Sequence, residues 1–532
     1  MKTLIAPLVL LTATTLFAQV SESIDVRVVN VDVTVMSKGV PVNGLTRDDF
    51  EILEDGRLQT ITNFYTSEET RTIAKPPGAA AASAPQPDPR FRRRVLVLVD
   101  NNHTTRDTRE RALRQLETMI NDRFHGEYEW SIGVVGRGVT LVLPLSSDKE
   151  AIHEALEIIR REGTRGEGDK SFAGATSREG AMLPRTITEG TGSPKFDSNV
   201  TNRVALAMAG DDTERAIAAR FFVPAILDAV RGFASTSGRK IVFLLTGDPG
   251  LNDPQRVIQS GNGFLVRESR DPEREIRELR DSIIHEANAS DVSLFIWNVR
   301  GLEAGGDVGA GASYSSTGTD NSASYWLANL TGGRVIVGNR PEESVQEFDT
   351  ASSSFYSLGY KPTHPDDGKY HAISVRVKRK GDYALAYRSG YSATSTAAQF
   401  ARAMLSPTAA AMDASTLPVT LAFGTPKSES NTVSVPIEVK VPFSSLQFLP
   451  GKNGVAANLV VYVSVFNDIG KNIVARSMAL TPAFKSGVPD PKGMLVYRNE
   501  LKIRKGESDR VVVAIRDTLT EGIGIATEVV KF

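Results

Sequence analysis

The sequence predicts an α/β fold with a doubly wound, mostly parallel sheet, flanked by an N-terminal β-module and a C-terminal β-sandwich, on three observations. Continuous apolar runs at Val95 to Val99 and Ile241 to Leu245 alternate with helical patterns, the rhythm of strand–helix–strand units. Ahead of them, Val29, Val31, Val33 and Val35 alternate at the period of a half-buried strand. Beyond residue 415 every periodic segment is a strand pattern broken by Gly, Pro, Asn or Asp turns, as in a sandwich.

The chain has 532 residues, too many for one core, so it is read in pieces. Residues 1–18 have the order of a secretory signal: Met1-Lys2, an apolar run from Leu4 to Phe17, then Ala18. That run is shorter than the ~20 residues of a bilayer-spanning helix, which predicts cleavage and export to the periplasm, outer surface or medium. Residues 22–66 form the β-module, where Phe50 to Leu53 and Leu58 to Phe64 flank the turn Glu54-Asp55-Gly56-Arg57. Residues 67–92 are a Pro/Ala-rich linker, and the basic run Arg92 to Arg94 reads as its solvated end.

The α/β domain is assigned to 93–393. Helices are expected at Arg106 to Phe124, Lys149 to Ile159, Ala216 to Phe233, Arg277 to Ala287, Tyr325 to Leu330 and Ser344 to Ala351. Strands follow at Trp130 to Val135, Val139 to Leu143, Val292 to Trp297 and Arg334 to Val337. Residues 163–212 break the rhythm with Gly, Ser, Thr and charge and read as a surface insertion. Short alternating runs at Tyr356 to Tyr360, His371 to Lys378 and Tyr383 to Tyr387 close the domain, and residues 415–532 are the C-terminal β-sandwich. Trp130, Trp297 and Trp326 fall in sheet or helix patterns and are expected in the core.

Composition narrows the function. Lys+Arg 62 against Asp+Glu 63 leaves a net charge of −1, without the basic footprint that nucleic-acid binding needs. Cys is absent, so there is no disulfide framework and no thiolate metal site. The six His residues, at 103, 125, 153, 285, 364 and 371, have no zinc or metalloprotease spacing. Without a nucleophile elbow, P-loop or dinucleotide fingerprint in context, no catalytic residue is assigned and the chain is expected not to be an enzyme.

In an open α/β sheet, ligands bind at the carboxyl ends of the strands. Those ends read Asp100-Asn101-Asn102-His103-Thr104 and Thr246-Gly247-Asp248, a set of hard oxygens suited to Mg²⁺. The alternative is that Asp100, Asn102 and Thr104 cap the helix that follows.

The pattern of apolar strand, Asp-x-Asn-x-Thr, amphipathic helix and a later strand ending LLTGD resembles a von Willebrand factor A domain. The chain up to about Ala393 resembles a bacterial family of exported proteins related to that domain. The matching segments are VNVDVTVMSKGVPVNGLTRDDFEILEDG, ANASDVSLFIWNVRGL, LANLTGGRVIV and FYSLGYKPTHPDDGKYHAISVRVKRKGDYALAYRSGYSA. The resemblance implies a metal-ion-dependent adhesion site with Asp100, Asn102 and Thr104 from the first motif, Thr164 from a middle loop and Asp248 from the last. The departures are an amide at Asn102 where the pattern has a hydroxyl, Thr for Ser at Thr104, and Gly247, which sets Asp248 one residue late. The expected function is protein–protein interaction or adhesion, with an unidentified protein partner on this face through a degenerate Mg²⁺ site. A metal-assisted hydrolase with His103 as the nearby base, and a metal-free structural envelope component, are the alternatives.

Overall fold

The computed structural model describes residues 28–66, 93–123, 128–136, 138–161, 219–234, 238–247, 251, 270–299, 322–336, 341–364, 366–409, 416–428, 430–451, 454–467, 472–504, 508–520 and 522–531. The expected signal segment 1–18, linker 67–92 and insertion 163–212 lie outside these residues. What is described is a mixed α/β chain with several sheets.

The central sheet has six strands, in the order Val335–Ile336, Val292–Asn298, Arg239–Thr246, Arg93–Asp100, Tyr128–Val135, Val139–Ser146. The first five run parallel and the last returns antiparallel. Arg93–Asp100 is buried along its whole length because both faces of the sheet are covered. Val95, Val97 and Val99 face Leu113 and Leu116 of the helix Arg106–Arg123, Leu156 of Lys149–Arg161, and Phe348 of Pro341–Ser353. Leu96 and Leu98 face Phe222 and Ile226 of the helix over 219–233, Ile284 of Arg270–Ala289, and Leu327 of Ser322–Leu330. A continuous apolar run is therefore two interleaved alternations, one per core.

Two expectations need correction here. Arg93 and Arg94 are not a solvated linker end: both are buried at the start of the central strand. Arg93 donates to the Tyr128 hydroxyl at 3.2 Å and Arg94 pairs with Glu129 at 2.7 Å, so each cation is matched on the neighbouring strand. Trp326 is 55% exposed, its ring beneath the Arg280 guanidinium at 5.6 Å, whereas Trp130 and Trp297 are in the core as expected.

A larger difference concerns the strands of the β-module. Val29–Ser37 pairs antiparallel with Tyr356–Tyr360 and with Ala384–Ala386, and Ile61–Thr66 lies on the other side of Tyr356–Tyr360. Phe50–Glu54 pairs with Tyr370–Val377. The runs expected to close the α/β domain thus join the N-terminal segment around one core of Val31, Val33, Ile52, Leu358, Tyr360 and Val375. The physical reason is that an isolated hairpin with one apolar face is marginal in water, and these two sets of strands cover each other. The α/β sheet is accordingly inserted between the two halves of one β-unit.

In the C-terminal region, Thr432–Pro442 pairs with Met494–Arg504 in one sheet, and Leu459–Phe466 pairs with Asn472–Leu480 and Ser508–Asp517 in another. Val435, Val439, Val461 and Val513 from both sheets share one core. The helix Thr396–Ala403 joins this region to the rest, with Phe400 and Met404 packed on Tyr462 and Ala514. No helix among the described residues is long and apolar enough to cross a membrane.

Candidate functional site

The central strand Arg93–Asp100 is where the sheet changes direction of winding. From it the chain passes first to Tyr128–Val135 on one side, then later to Arg239–Thr246 on the other. The carboxyl ends of these strands border the crevice in which ligands of open α/β sheets bind. Asp100 ends one strand and Thr246 the other.

Asp100 is wholly buried, and its carboxylate is fully engaged. Oδ1 accepts the backbone N–H groups of Asn102 at 2.9 Å and His103 at 3.2 Å. Oδ2 accepts the Thr246 hydroxyl at 2.6 Å and lies 2.7 Å from His103 Nδ1. A carboxylate offers about four lone-pair positions, and all are taken. Burial works to raise the Asp100 pKa, but the charge and hydrogen bond of His103, with the bonds from Thr246 and Asn102, outweigh it and hold the group below its ordinary value.

The other described members of the expected metal set are also turned inward. The Asn102 side-chain amide donates to the Gly136 carbonyl at 2.9 Å, and the Thr104 hydroxyl donates to the Asp100 carbonyl. As they stand, Asp100, Asn102 and Thr104 do not fit Mg²⁺, because the one carboxylate among them is saturated by protein donors. Thr164 and Asp248 lie outside the described residues.

The capping alternative is corrected too. The helix starts at Arg106, and its cap is Thr105, whose hydroxyl accepts the Thr108 N–H at 3.4 Å while the Thr105 N–H donates to the Thr108 hydroxyl at 3.1 Å. The Thr105 carbonyl accepts the first helical bond, from Arg109, at 3.0 Å. Asp100, Asn102 and Thr104 instead shape the loop before the cap.

The sequence named Thr246 at the strand end and His103 as a nearby base, but it did not show that both bond the Asp100 carboxylate directly. The signal for Thr246 was its place as the last residue of a buried apolar run, beside Gly247. His103 also packs its ring edge-on against Phe222 at 5.5 Å, which joins the loop to the helix over 219–233. Asn101 accepts from the buried Arg109 at 2.8 Å, anchoring the loop to the next helix.

No family model matches this chain, and no curated protein does either. Among solved structures, it is similar to a von Willebrand factor type A protein from Catenulispora acidiphila, with 11% identity over 83% of this chain and 66% of that one, at a TM-score of 0.23. It is similar to BatB from Bacteroides thetaiotaomicron, with 10% identity over 49% of this chain and 99% of that one, at 0.22. It is also similar to a mutant of Bacteroides uniformis beta-glucuronidase 2, with 12% identity over 22% of this chain, at 0.16, and it spans only 13% of that enzyme chain. At scores this low none of them bears on fold or function.

Proposed function

We propose that this is an exported partner-binding protein that presents the carboxyl-end face of its central sheet to another protein, in the manner of a von Willebrand factor A domain. The observation that carries the reading is the placement of the Asp100–His103–Thr246 cluster at the switch point of the sheet. Helices covering both faces support reading the sheet as doubly wound, and two C-terminal sheets over one core support reading that region as a β-sandwich. Export rests on the signal pattern of residues 1–18. The internally paired Asp100 supports a face that binds through loop surface and hydrogen bonds rather than through a resident cation.

A photo-crosslinking residue placed at Asn102 tests this in the producing cell, with one at the exposed Met478 of the C-terminal region as control. A discrete adduct from Asn102, absent from Met478 and weakened by His103→Gln, is the expected result. Equal adducts from both positions, or none from Asn102, overturn it. The second reading, a hydrolase, is favoured by the 2.7 Å Asp100–His103 contact, which orients an imidazole as a general base requires. Turnover of a chromogenic ester by the wild type, abolished by His103→Gln, would establish it instead.

A further inference from the structure

Away from the sheet crevice, the seam between the two halves of the β-unit gathers a second cluster. Glu54 ends the strand Phe50–Glu54, His371 lies on its partner Tyr370–Val377, and His364 is on the loop leading into that partner. Among the described residues, their donor atoms all lie within 4.8 Å of one another. His364 Nε2 is 2.5 Å and His371 Nδ1 3.8 Å from the same oxygen, Oε1 of Glu54.

We propose that Glu54, His364 and His371 form a binding site for a borderline divalent transition metal ion of the Zn²⁺ class. Two imidazole nitrogens with one carboxylate suit Zn²⁺, Co²⁺ or Ni²⁺ and not Mg²⁺ or Ca²⁺, which take all-oxygen sets. A second observation points to a cation independently of the cluster. Glu54 is only 4% exposed, yet its other oxygen, Oε2, makes no hydrogen bond of normal geometry, and the Tyr360 hydroxyl that neighbours Glu54 is likewise left without one. A buried carboxylate left half satisfied is costly, and a cation seated between it and the imidazoles removes that cost.

The surroundings are those of a ligated histidine. His371 Nε2 lies 3.2 Å from Asp367, the carboxylate–histidine arrangement that holds a ligand imidazole in the tautomer leaving Nδ1 for the ion. Asp55 Oδ2 now holds His371 Nδ1 at 2.7 Å, and it would become the fourth ligand once the ion replaces the proton between them. Asp55 is held in the left-handed region at φ 48° with Gly56 at φ 78°, and its backbone N–H donates to the Ala372 carbonyl. That turn fixes the Glu54 end of the strand against His371. The Tyr391 hydroxyl, 3.2 Å from His364 Nε2 and 3.4 Å from Glu54 Oε1, closes the remaining side. For the ion to enter, the 2.5 Å Glu54–His364 and 2.7 Å Asp55–His371 contacts both open to the wider separation of ligands on one metal. The ion would clasp the N-terminal strands to strands more than 300 positions later in the chain, so its binding energy adds to folding.

Co²⁺ serves as the probe, titrated into protein carrying no polyhistidine tag and stripped of metal by a chelator. The expected result is one ion per chain, with visible ligand-field bands of a low-coordinate nitrogen–oxygen site, displaced by Zn²⁺, and a higher melting temperature with either ion. His364→Gln, on the more exposed loop, is expected to fold and to abolish the bands and the thermal shift. Asp367→Asn should weaken binding about 10- to 100-fold by releasing the imidazole. His153→Gln, at an exposed histidine of the helix Lys149–Arg161, should leave the bands unchanged. Absence of saturable binding in the wild type, or bands that survive in His364→Gln or vanish in His153→Gln, overturns the assignment.

Discussion

At the scale of single residues, the question at the sheet crevice is which group satisfies the buried Asp100 carboxylate. His103 and Thr246 do so here, so a magnesium ion would first have to displace one of them. Isothermal titration of Mg²⁺ into the wild type is therefore expected to give no saturable heat at millimolar concentration, and a saturable isotherm would show that the internal pairing yields. His103→Ala strands a buried anion and should cost about 3–5 kcal/mol of stability by denaturant unfolding. A second buried acid behaves in the opposite sense. Burial pushes Asp228 up to about 6, Arg231 at 3.9 Å works against this, and the neighbouring Glu286 adds to it. A carboxyl raised in the folded state contributes stability that is fully present below its unfolded value of 3.8 and is lost as pH rises through about 6. Asp228→Asn should remove that loss, so its melting temperature should gain on the wild type across this window. The carboxylate is about a third exposed, and solvent screening keeps the expected gain to about 1–3 °C. A gap that does not change with pH would contradict the assignment.

At the scale of elements, strands and helices were legible in the sequence because each carries its periodicity locally. The continuous run of Val95 to Val99 predicted a strand covered on both faces, and it is one. Pairing partners were not legible. Nothing in Val29, Val31 and Val33 specifies Tyr360, Leu358 and Tyr356 as their neighbours, since alternation fixes a face and not a partner. The sites divide the same way. Asp100 and His103 stand three residues apart and could be read together, whereas Glu54 and His371 meet only through strand pairing and looked like scattered residues. One element makes a sharp prediction. After the helix Ser322–Leu330, Gly333 passes so close to the neighbouring strand that a Cβ there would sit 1.9 Å from the Leu294 carbonyl oxygen. Because that neighbour is backbone in the sheet, relief means moving Val292–Asn298. Gly333→Ala should cost about 1–3 kcal/mol or more, while Gly138→Ala, whose Cβ meets nothing within 4 Å, should stay within about 0.5 kcal/mol. Chemical denaturation of the pair checks this, and equal midpoints would refute the close approach.

At the scale of the whole molecule, the β-unit is built from both ends of a chain that leaves it to form the α/β sheet and then returns. Seven apolar side chains of the N-terminal segment, Val29, Val31, Val33, Val35, Leu45, Phe50 and Ile52, are buried in the shared core. Without this segment the apolar face and strand edges of the returning strands are left uncovered, so those strands are expected to lose their fold. Arg239, on the central sheet, also reaches Asp32 at 3.5 Å, which ties the α/β sheet to the same segment. The covalent continuity of the linker 67–92 should therefore be dispensable, because the buried pairing itself holds the two segments together. Fragments 20–80 and 81–532, produced together, are expected to co-purify in equal amounts through size exclusion and to melt as one unit. Fragment 81–532 alone should expose the unpaired edges of Tyr356–Tyr360 and Tyr370–Val377 and aggregate. If it instead remained monomeric with an unchanged melting temperature, the strand pairing across the two halves would not be what holds the β-unit together, and the proposed metal clasp at its seam would lose its structural purpose along with it.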